Sequence, residues 1–176
     1  MKTPVLRALL AALCTLTLAG CIDSAKPILT DSQPVLGQHL RLQLFSLRKG
    51  HAYDPEQAEY TWNGQHYVHA SGGMRDITGF SVHPFEGGDY IVQTAPEGST
   101  HVTEYAWAHT LVDGVFQVIP IDEDDASDSV RAANCPTGNK ITCRIETRDQ
   151  LFNLARATAA RRKKDGGLAI LLPDRD

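Results

Sequence analysis

The amino-acid sequence predicts an α+β fold: an antiparallel β sandwich or small barrel-like sheet of about seven or eight strands, with one C-terminal helix packed on it. Three observations predict this class. Alternating apolar segments recur along the middle of the chain, glycine-containing turns separate several of them, and one amphipathic pattern with capping residues stands near the C-terminus. The chain has 176 residues, which is long enough for one domain with its own core.

Glycine-containing turns define the hairpins of the predicted sheet. The segment Leu40–Leu44 alternates leucine with polar residues, as in a strand with one buried face. Asn63–Gly64 suits a two-residue type I′ turn, which would pair Tyr60 with Tyr67 across the two strands. Glu86–Gly88 separates two further strand-like segments, so the sequence predicts a second hairpin there.

A third hairpin is predicted to turn at Asp113–Gly114, between TEYAWAHTLV and VFQVIP. A two-residue turn would pair His109 with Val118 and would place Trp107 on the same side. In that register His109 is a hydrogen-bonded core histidine among apolar side chains. The opposite side of the hairpin is also apolar, so both of its faces are expected to be covered.

A helix is predicted over about 148–164. Thr147 and Gln150 have the spacing of a capping box, in which each side chain satisfies a backbone N–H of the first turn. The apolar stripe of the helix consists of Leu151, Leu154, Ala155 and Thr158. The basic run Arg161–Lys164 suits the negative end of the helix dipole, and contact with anionic lipid headgroups is its alternative role. Leu168–Leu172 is predicted to form a short buried strand.

The N-terminus has the three parts of a secretory signal. Lys2 and Arg7 are basic, Ala8–Leu18 is apolar, and Leu18–Cys21 closes the segment with small residues and a cysteine. The apolar stretch is too short to span a bilayer, which takes about 20 residues as a helix. Leu18, Ala19, Gly20 and Cys21 match all four positions of the bacterial lipobox, so the N-terminus resembles that of a bacterial lipoprotein.

This resemblance implies that residues 1–20 are removed as a signal peptide and that Cys21 is acylated on its sulfur and its new amino group. Ile22 stands where an aspartate would mark inner-membrane retention, which favours the outer membrane, facing the periplasm. Residues 21–35 are expected to be a tether, and their KPILT segment resembles that of uncharacterised proteobacterial lipoproteins. Residues 36–176 are expected to form one periplasmic β-rich domain. The alternative is an ordinary cleaved signal with an incidental cysteine.

The two cysteines that remain in the mature chain are expected to form a disulfide. Cys14 would leave with the signal and Cys21 would carry lipid, so Cys135 and Cys143 would meet in an oxidising compartment. The alternative, half of a zinc site, needs two more ligands that no nearby motif supplies. Without the signal the chain has 15 basic and 21 acidic residues, a net charge of −6, which does not suit nucleic acid.

Two loops are candidates for binding a partner, because loops on a rigid β scaffold often carry recognition residues. The candidate residues of the first loop are Ser71, Gly72, Gly73 and Arg75. This loop loosely resembles the Ser-Gly loop that periplasmic lysozyme inhibitors insert into an enzyme cleft. The second loop is the acidic segment Ile121–Ser129, with Asp124 and Asp125 at its centre. It is expected to be solvated, and a calcium site is the alternative because calcium takes oxygen ligands.

The sequence contains no recognisable catalytic, metal or cofactor motif. Among its seven histidines, His66 and His69 are three apart, but they would point to opposite faces of the predicted hairpin and could not bind one ion together. It has no Gly-x-Ser-x-Gly elbow and no glycine-rich loop leading from a strand into a helix. We therefore expect a binding or scaffolding module without metal, cofactor or catalysis, attached to the membrane through Cys21 and able to contact another envelope protein. An inhibitor of a cell-wall enzyme is the alternative, and an envelope hydrolase comes third.

Membrane attachment should depend on Cys21. We expect Cys21→Ser to leave the protein without lipid and to move it from the membrane to the soluble fraction, because several acyl chains hold a protein firmly while one binds only marginally. Fractionation and immunoblotting measure the shift, and Cys14→Ser in the signal is the matched control. A Cys21→Ser protein that is still processed and still fractionates with the membranes unchanged would contradict the lipoprotein hypothesis.

Overall fold

The computed structural model describes residues 22–31, 33–48, 51–52, 55–72, 77–94, 103–135, 143–161 and 166–173. Within them the chain forms eleven strands: β1 Ile22–Ser24, β2 His39–Arg48, β3 His51–Ala52, β4 Glu56–Trp62, β5 Tyr67–Gly72, β6 Gly79–Pro84, β7 Tyr90–Thr94, β8 Thr103–Val112, β9 Val115–Pro120, β10 Cys143–Arg144 and β11 Gly166–Leu171. The α-helices of this part of the chain are α1 Asp128–Asn134 and α2 Arg148–Arg161.

Eight of the strands close into an antiparallel barrel. The strands β2, β4, β5, β6, β7, β8, β9 and β11 pair in this order, and β11 returns to pair with β2. Closure gives each of these strands a neighbour on both sides, which removes the open edges of a sheet. Of the two predicted forms, sandwich and small barrel, the structure therefore has the barrel.

The barrel wall contributes to a core on each of its two sides. Alternate residues of a strand point to opposite faces, and the inward-facing ones form a cluster that includes Leu40, Leu42, Tyr60, Tyr67, Phe80 and Val82. Outward-facing residues of β7, β8 and β9 pack against α2. This outer cluster includes Ile91, Trp107, Ile119, Leu151, Leu154 and Ala155. The wall between the two clusters is thus covered on both faces, as the apolar pattern of the third hairpin predicts.

The C-terminal helix follows its prediction. The backbone N of Gln150 donates to Thr147 Oγ1 at 3.3 Å, and the backbone N of Thr147 donates to Gln150 Oε1 at 3.0 Å, which is the predicted capping box. The predicted stripe is buried: Leu151, Leu154, Ala155 and Thr158. The described helix ends at Arg161, and the rest of the range 148–164 lies outside the described residues. The structure also contains a second, short helix, α1, which the sequence does not predict.

Cys135 and Cys143 form the predicted disulfide, with their Cα atoms 5.1 Å apart. The bond joins the residue after α1 to β10. Cys143 is buried in the outer cluster, and Ile145, two residues further on, is buried there as well. The disulfide therefore holds the chain against the barrel just before α2 begins.

The segment 21–35, which the sequence predicts to be a tether, packs on the barrel from Ile22 onward. β1 pairs with β8 and β10, and the side chains of Ile22 and Leu29 are buried. Gln93 on the outer face of β7 accepts hydrogen bonds from Ile28 N at 3.1 Å and Leu29 N at 2.9 Å, and it donates to Leu29 O at 3.0 Å. The tether prediction is wrong here because polar side chains of the barrel satisfy the backbone of a segment that has no periodic pattern.

The hairpin at Asn63–Gly64 has a longer turn than predicted. Trp62 pairs with Tyr67, so four residues rather than two form the connection. The side chain of Asn63 closes the turn by accepting from the backbone N–H groups two and three residues further on, at 3.0 and 2.9 Å. The predicted pairing of Tyr60 with Tyr67 is therefore wrong, and Tyr60 pairs with His69.

The third hairpin turns where predicted, but a bulge changes its register. Leu111 is an extra residue between two pairs of the β8–β9 ladder. The shift of one residue pairs Ala108, rather than His109, with Val118. Trp107 and His109 therefore lie on the outer side of the barrel, and the prediction that grouped them with Val118 is wrong.

The acidic segment Ile121–Ser129 is only partly exposed. Its centre forms a 3-10 turn in which Glu123 and Asp125 are buried, and Ser127 caps α1. Arg161 Nη1 lies 4.0 Å from Asp125 Oδ1, which ties the turn to α2. The expectation of a fully solvated loop is wrong because this turn packs against the helix.

His83 joins β6 to the N-terminal segment. It is 5% exposed, its Nδ1 lies 3.2 Å from Asp31 O, and its Nε2 lies 2.8 Å from Ser81 Oγ. A carbonyl oxygen only accepts, so Nδ1 carries the proton and Nε2 accepts from the serine hydroxyl. Burial lowers the pKa of His83, with a smaller contribution from the charge of Arg148.

Acidification should destabilise the fold through His83. Because its pKa is lower in the folded than in the unfolded protein, the stabilisation is complete above about pH 6.5 and declines as the pH falls below that value. We expect the free energy of unfolding in urea to fall more between about pH 7 and pH 5 in the parent protein than in His83→Gln, which cannot gain a proton there. Equal losses in the two proteins would contradict the role of His83.

Candidate functional site

The inward-facing side chains of the barrel leave a cavity of about 180 Å³ that is partly open to solvent. Barrels of eight strands are just wide enough either to be filled by their own side chains or to hold a small ligand. The cavity is lined by Leu36, Leu42, Leu44, Tyr60, Ile77, Phe80, Val82, Tyr90, Val92, Thr94, Ala106, Ala108, Phe116, Val118, Ala169 and Leu171. All of these side chains are uncharged, and most are aliphatic or aromatic.

Small residues in the wall leave room for the cavity. Ala106 and Ala108 on β8 line it, and Ala108 lies between Tyr90 and Val118 of the neighbouring strands. Ala169 lines it from β11. Protein interiors are normally packed to the density of organic crystals, so three alanines facing one interior leave space that larger residues would fill.

The turn that precedes β2 covers one end of the barrel. Tyr67 Oη donates to Gly37 O at 2.9 Å and accepts from Leu36 N at 3.2 Å. The backbone N of Trp62 donates to Gln38 O at 2.9 Å, which ties the turn to the end of β4. These bonds hold the side chain of Leu36 against the cavity.

Two hydroxyl groups of the cavity lining, those of Tyr60 and Thr94, are bonded to the protein itself. The hydroxyl of Tyr60 donates to Ile77 O at 3.4 Å, and Thr94 Oγ1 bonds the backbone N and O of Glu104 at 3.0 and 3.3 Å. Burial raises the pKa of Tyr60 to about 12 and also raises the pKa of Tyr67, so both side chains are neutral near pH 7. The cavity therefore suits an uncharged, apolar group.

The size of the cavity fits a small apolar molecule or part of one alkyl chain. An engineered cavity of about 150 Å³ lined by aliphatic and aromatic residues stays dry and binds benzene. At about 180 Å³ this cavity is slightly larger. The arrangement is chemically suited to binding, because its lining offers burial of apolar surface rather than reacting groups.

The two predicted partner-binding loops lie at one end of the barrel, on opposite sides. Neighbouring strands alternate in direction, so β5 and β9 end at the same rim, four places apart in the ring of eight. Ser71 and Gly72 are the last residues of β5, and the turn with Asp124 and Asp125 follows β9. Gly73 and Arg75 lie outside the described residues.

Ser71 and Gly72 have structural contacts in the barrel wall. Ser71 Oγ donates to Glu59 Oε2 at 2.8 Å, and Arg41 Nε lies 3.5 Å from the other oxygen of this carboxylate. Gly72 has φ +100°, and a Cβ there would collide with the backbone carbonyl of Gln57. The glycine is required where β5 closely approaches β4 at their bulge.

The acidic turn offers a smaller exposed surface than the sequence suggests. Asp124 is exposed, and Arg131 Nη1 lies 3.3 Å from its Oδ1. Asp125 is 3% exposed, so it does not belong to the accessible surface of the loop. The role of Asp124 in partner binding stays a prediction.

Glu123, Cys135 and Cys143 form a group with the spacing of metal ligands among the described residues. One ligand atom of each lies within 4.8 Å of the other two. Thiolates are the sulfur ligands of metals, and both sulfurs are joined in the disulfide. Burial and the charges of Asp124 and Asp122 raise the pKa of Glu123, which also disfavours the charged ligand form.

A polar cluster lies on the outer face of β8. Asp89 accepts hydrogen bonds from Trp107 Nε1 at 2.9 Å and from His109 Nδ1 at 2.8 Å, and the two rings stack with centroids 5.2 Å apart. Thr110 Oγ1 donates to Gly88 O at 3.1 Å. These contacts attach the connection between β6 and β7 to β8. Sequence reasoning missed the cluster because it placed His109 inside the hairpin core.

Sequence reasoning also missed the cavity, although a signal for it was present. In Tyr105–His109 large side chains alternate with Ala106 and Ala108. Such alternation predicts one bulky face and one small face on a single strand. The choice of which face points into the barrel depends on the bulge at Leu111.

Comparisons with known proteins give no match: no family model fits the chain, and no curated protein or solved structure matches it. Among the described residues, no helix is both long enough and apolar enough to cross a membrane.

The requirement for Gly72 can be tested against Gly64, which has nearly the same φ, +101°, but has open space around its missing Cβ. We expect Gly64→Ala to cost about 1 kcal/mol of unfolding free energy through backbone strain. Gly72→Ala should cost about 3 kcal/mol, because strain and a collision with backbone atoms add. Urea denaturation measures both. Equal costs would contradict the close approach of β5 to β4 at Gly72.

Proposed function

We propose that this protein is a lipid-anchored protein of the bacterial envelope that binds a small apolar ligand in its barrel. The observation that carries the proposal is the cavity of about 180 Å³, lined entirely by uncharged residues. Concave, mostly apolar sites of this kind are typical of binding sites for hydrophobic molecules. The proposal assigns no catalytic role to the protein, because the lining is uncharged and the hydroxyl groups of Tyr60 and Thr94 are bonded to the protein itself.

Anchoring through an acylated Cys21 is the second part of the proposal. The match of Leu18–Cys21 to all four lipobox positions supports it. The Cys135–Cys143 disulfide is in keeping with an oxidising compartment such as the periplasm. Ile22 favours the outer membrane as the site of attachment.

Binding of alkyl chains should increase with chain length until the cavity is full. Each buried methylene contributes about 0.8 kcal/mol, so the affinity should rise about four-fold per carbon. Calorimetric titration of the Cys21→Ser chain with butanol, hexanol and octanol measures this series without competing membrane lipid. Absence of heat for all three alcohols would contradict the proposed function.

Filling the cavity should abolish this binding. In Ala108→Phe the ring should occupy the cavity, and we expect the octanol affinity to fall at least ten-fold with an unchanged or higher melting temperature. Ala106→Leu adds a smaller group to the same wall. It tests whether filling the cavity lowers the octanol affinity if the phenylalanine variant fails to fold. Ala132→Phe, on the exposed side of α1, is the matched control. Normal octanol binding by both cavity variants would show that the ligand lies elsewhere.

A further inference from the structure

We infer that the barrel has no tether between itself and its lipid anchor, and that its ligand is an acyl chain drawn from the membrane that the domain touches. This inference rests on the proposed function, because it takes Cys21 as the anchor and the barrel cavity as the binding site. It adds the source of the ligand and the part of the domain that meets the bilayer.

Ile22 makes the connection between the anchor and the folded domain short. Its side chain is fully buried, and its backbone N donates to Ile121 O at 3.2 Å. Consecutive Cα atoms are about 3.8 Å apart, so Cys21 stands one residue from a fixed point on the barrel. Lipid attached to Cys21 therefore holds the end of β9, just before Ile121, close to the bilayer surface.

The residues after Ile22 do not form a flexible connection either. Ser24 Oγ bonds Tyr105 Oη at 2.7 Å, and Gln93 holds the backbone of Ile28 and Leu29. Unfolding the segment to lengthen the connection would break these bonds and expose Ile22, at a cost in burial and in hydrogen bonds. The folded domain is thus attached directly.

The anchor lies near the cavity along the same strand. Val118 lines the cavity and stands three residues before Ile121. A strand rises about 3.3 Å per residue, so the point that holds Ile22 is about 10 Å from the cavity wall. Ala106, another lining residue, pairs with Pro120 next to this point. An acyl chain leaving the bilayer there has a short path to the barrel interior.

Charge pairing lets the part of the domain around Ile22 and Ile121 approach a lipid surface. The mature chain is acidic, and a bilayer with anionic lipids would repel unpaired carboxylates. Asp23 lies 3.1 Å from Arg144 Nε, Asp124 lies 3.3 Å from Arg131 Nη1, and Asp125 lies 4.0 Å from Arg161 Nη1. Three of the carboxylates near Ile22 and Ile121 are thus offset by arginines on neighbouring elements.

A spacer after the anchor tests the inference on the full lipidated chain. The protein is reconstituted in vesicles of phosphatidylethanolamine and phosphatidylglycerol that contain a phospholipid with a photoactivatable group at the end of one acyl chain. A flexible Gly/Ser spacer of about 12 residues between Cys21 and Ile22 spans about 20 Å. The same spacer appended after Asp176 is the matched control. After illumination, mass spectrometry maps the lipid adducts.

We expect adducts on cavity residues such as Val118 and Ala106 in the parent and control proteins, and a loss of at least five-fold with the spacer after Cys21. Equal labelling in all three proteins, or labelling confined to the outer surface, would overturn the inference. Octanol binding by the Cys21→Ser chain, with and without the spacer, separates failure of the membrane source from failure of the proposed binding function. If octanol binds but no lipid adduct reaches the cavity, the membrane source is wrong and the binding function stands. If octanol does not bind, the proposed function itself fails.

Discussion

The register of β8 against β9 is the constraint on which the rest of the structure depends. Successive side chains of a strand point to opposite faces, so a shift of one residue exchanges the faces of β8. The bulge at Leu111 places Ala106 and Ala108 inside the barrel and Tyr105 and Trp107 outside it. In the other register Trp107 would occupy the interior and the alanines would face α2. Neither the cavity nor the outer cluster would then form.

This division between the faces explains how the domain tolerates an incompletely filled interior. An unfilled volume costs about 24 cal/mol per Å³, so a cavity of about 180 Å³ corresponds to about 4 kcal/mol of lost stability. The outer face of the same wall offsets this cost. Trp107 and Ile119 pack there against α2, and Leu151 and Leu154 of the helix are fully buried. The outer cluster thus adds stability to that of the inner cluster, so that part of the barrel interior can stay unfilled.

Local features were predictable from the sequence, whereas contacts between distant segments were not. The capping box of Thr147 and Gln150 and the pairing of the two mature-chain cysteines depend on short spacings and on composition, and both were recognisable. The bulge at Leu111 has no such signal, because the two-residue turn at Asp113–Gly114 is compatible with a ladder that contains the bulge and with one that lacks it. Packing of the N-terminal segment depends on Gln93, about 65 residues away from the backbone that it holds. The cavity depends on the register that the bulge sets, so it was not predictable either.

The packing of the N-terminal segment bears directly on the proposed lipid anchor at Cys21, because it removes the flexible tether that the sequence predicts. A flexible tether lets a domain explore a volume that grows with tether length. The effective concentration of the membrane surface at the binding site of the domain falls as that volume grows. With Ile22 in the core, the fold would set the orientation of the barrel relative to the proposed anchor at Cys21. An apolar cavity is most useful where its ligand is concentrated, and acyl chains are concentrated in the bilayer rather than in water. On the proposed function, a short attachment would therefore keep the apolar cavity close to the acyl chains that it would bind.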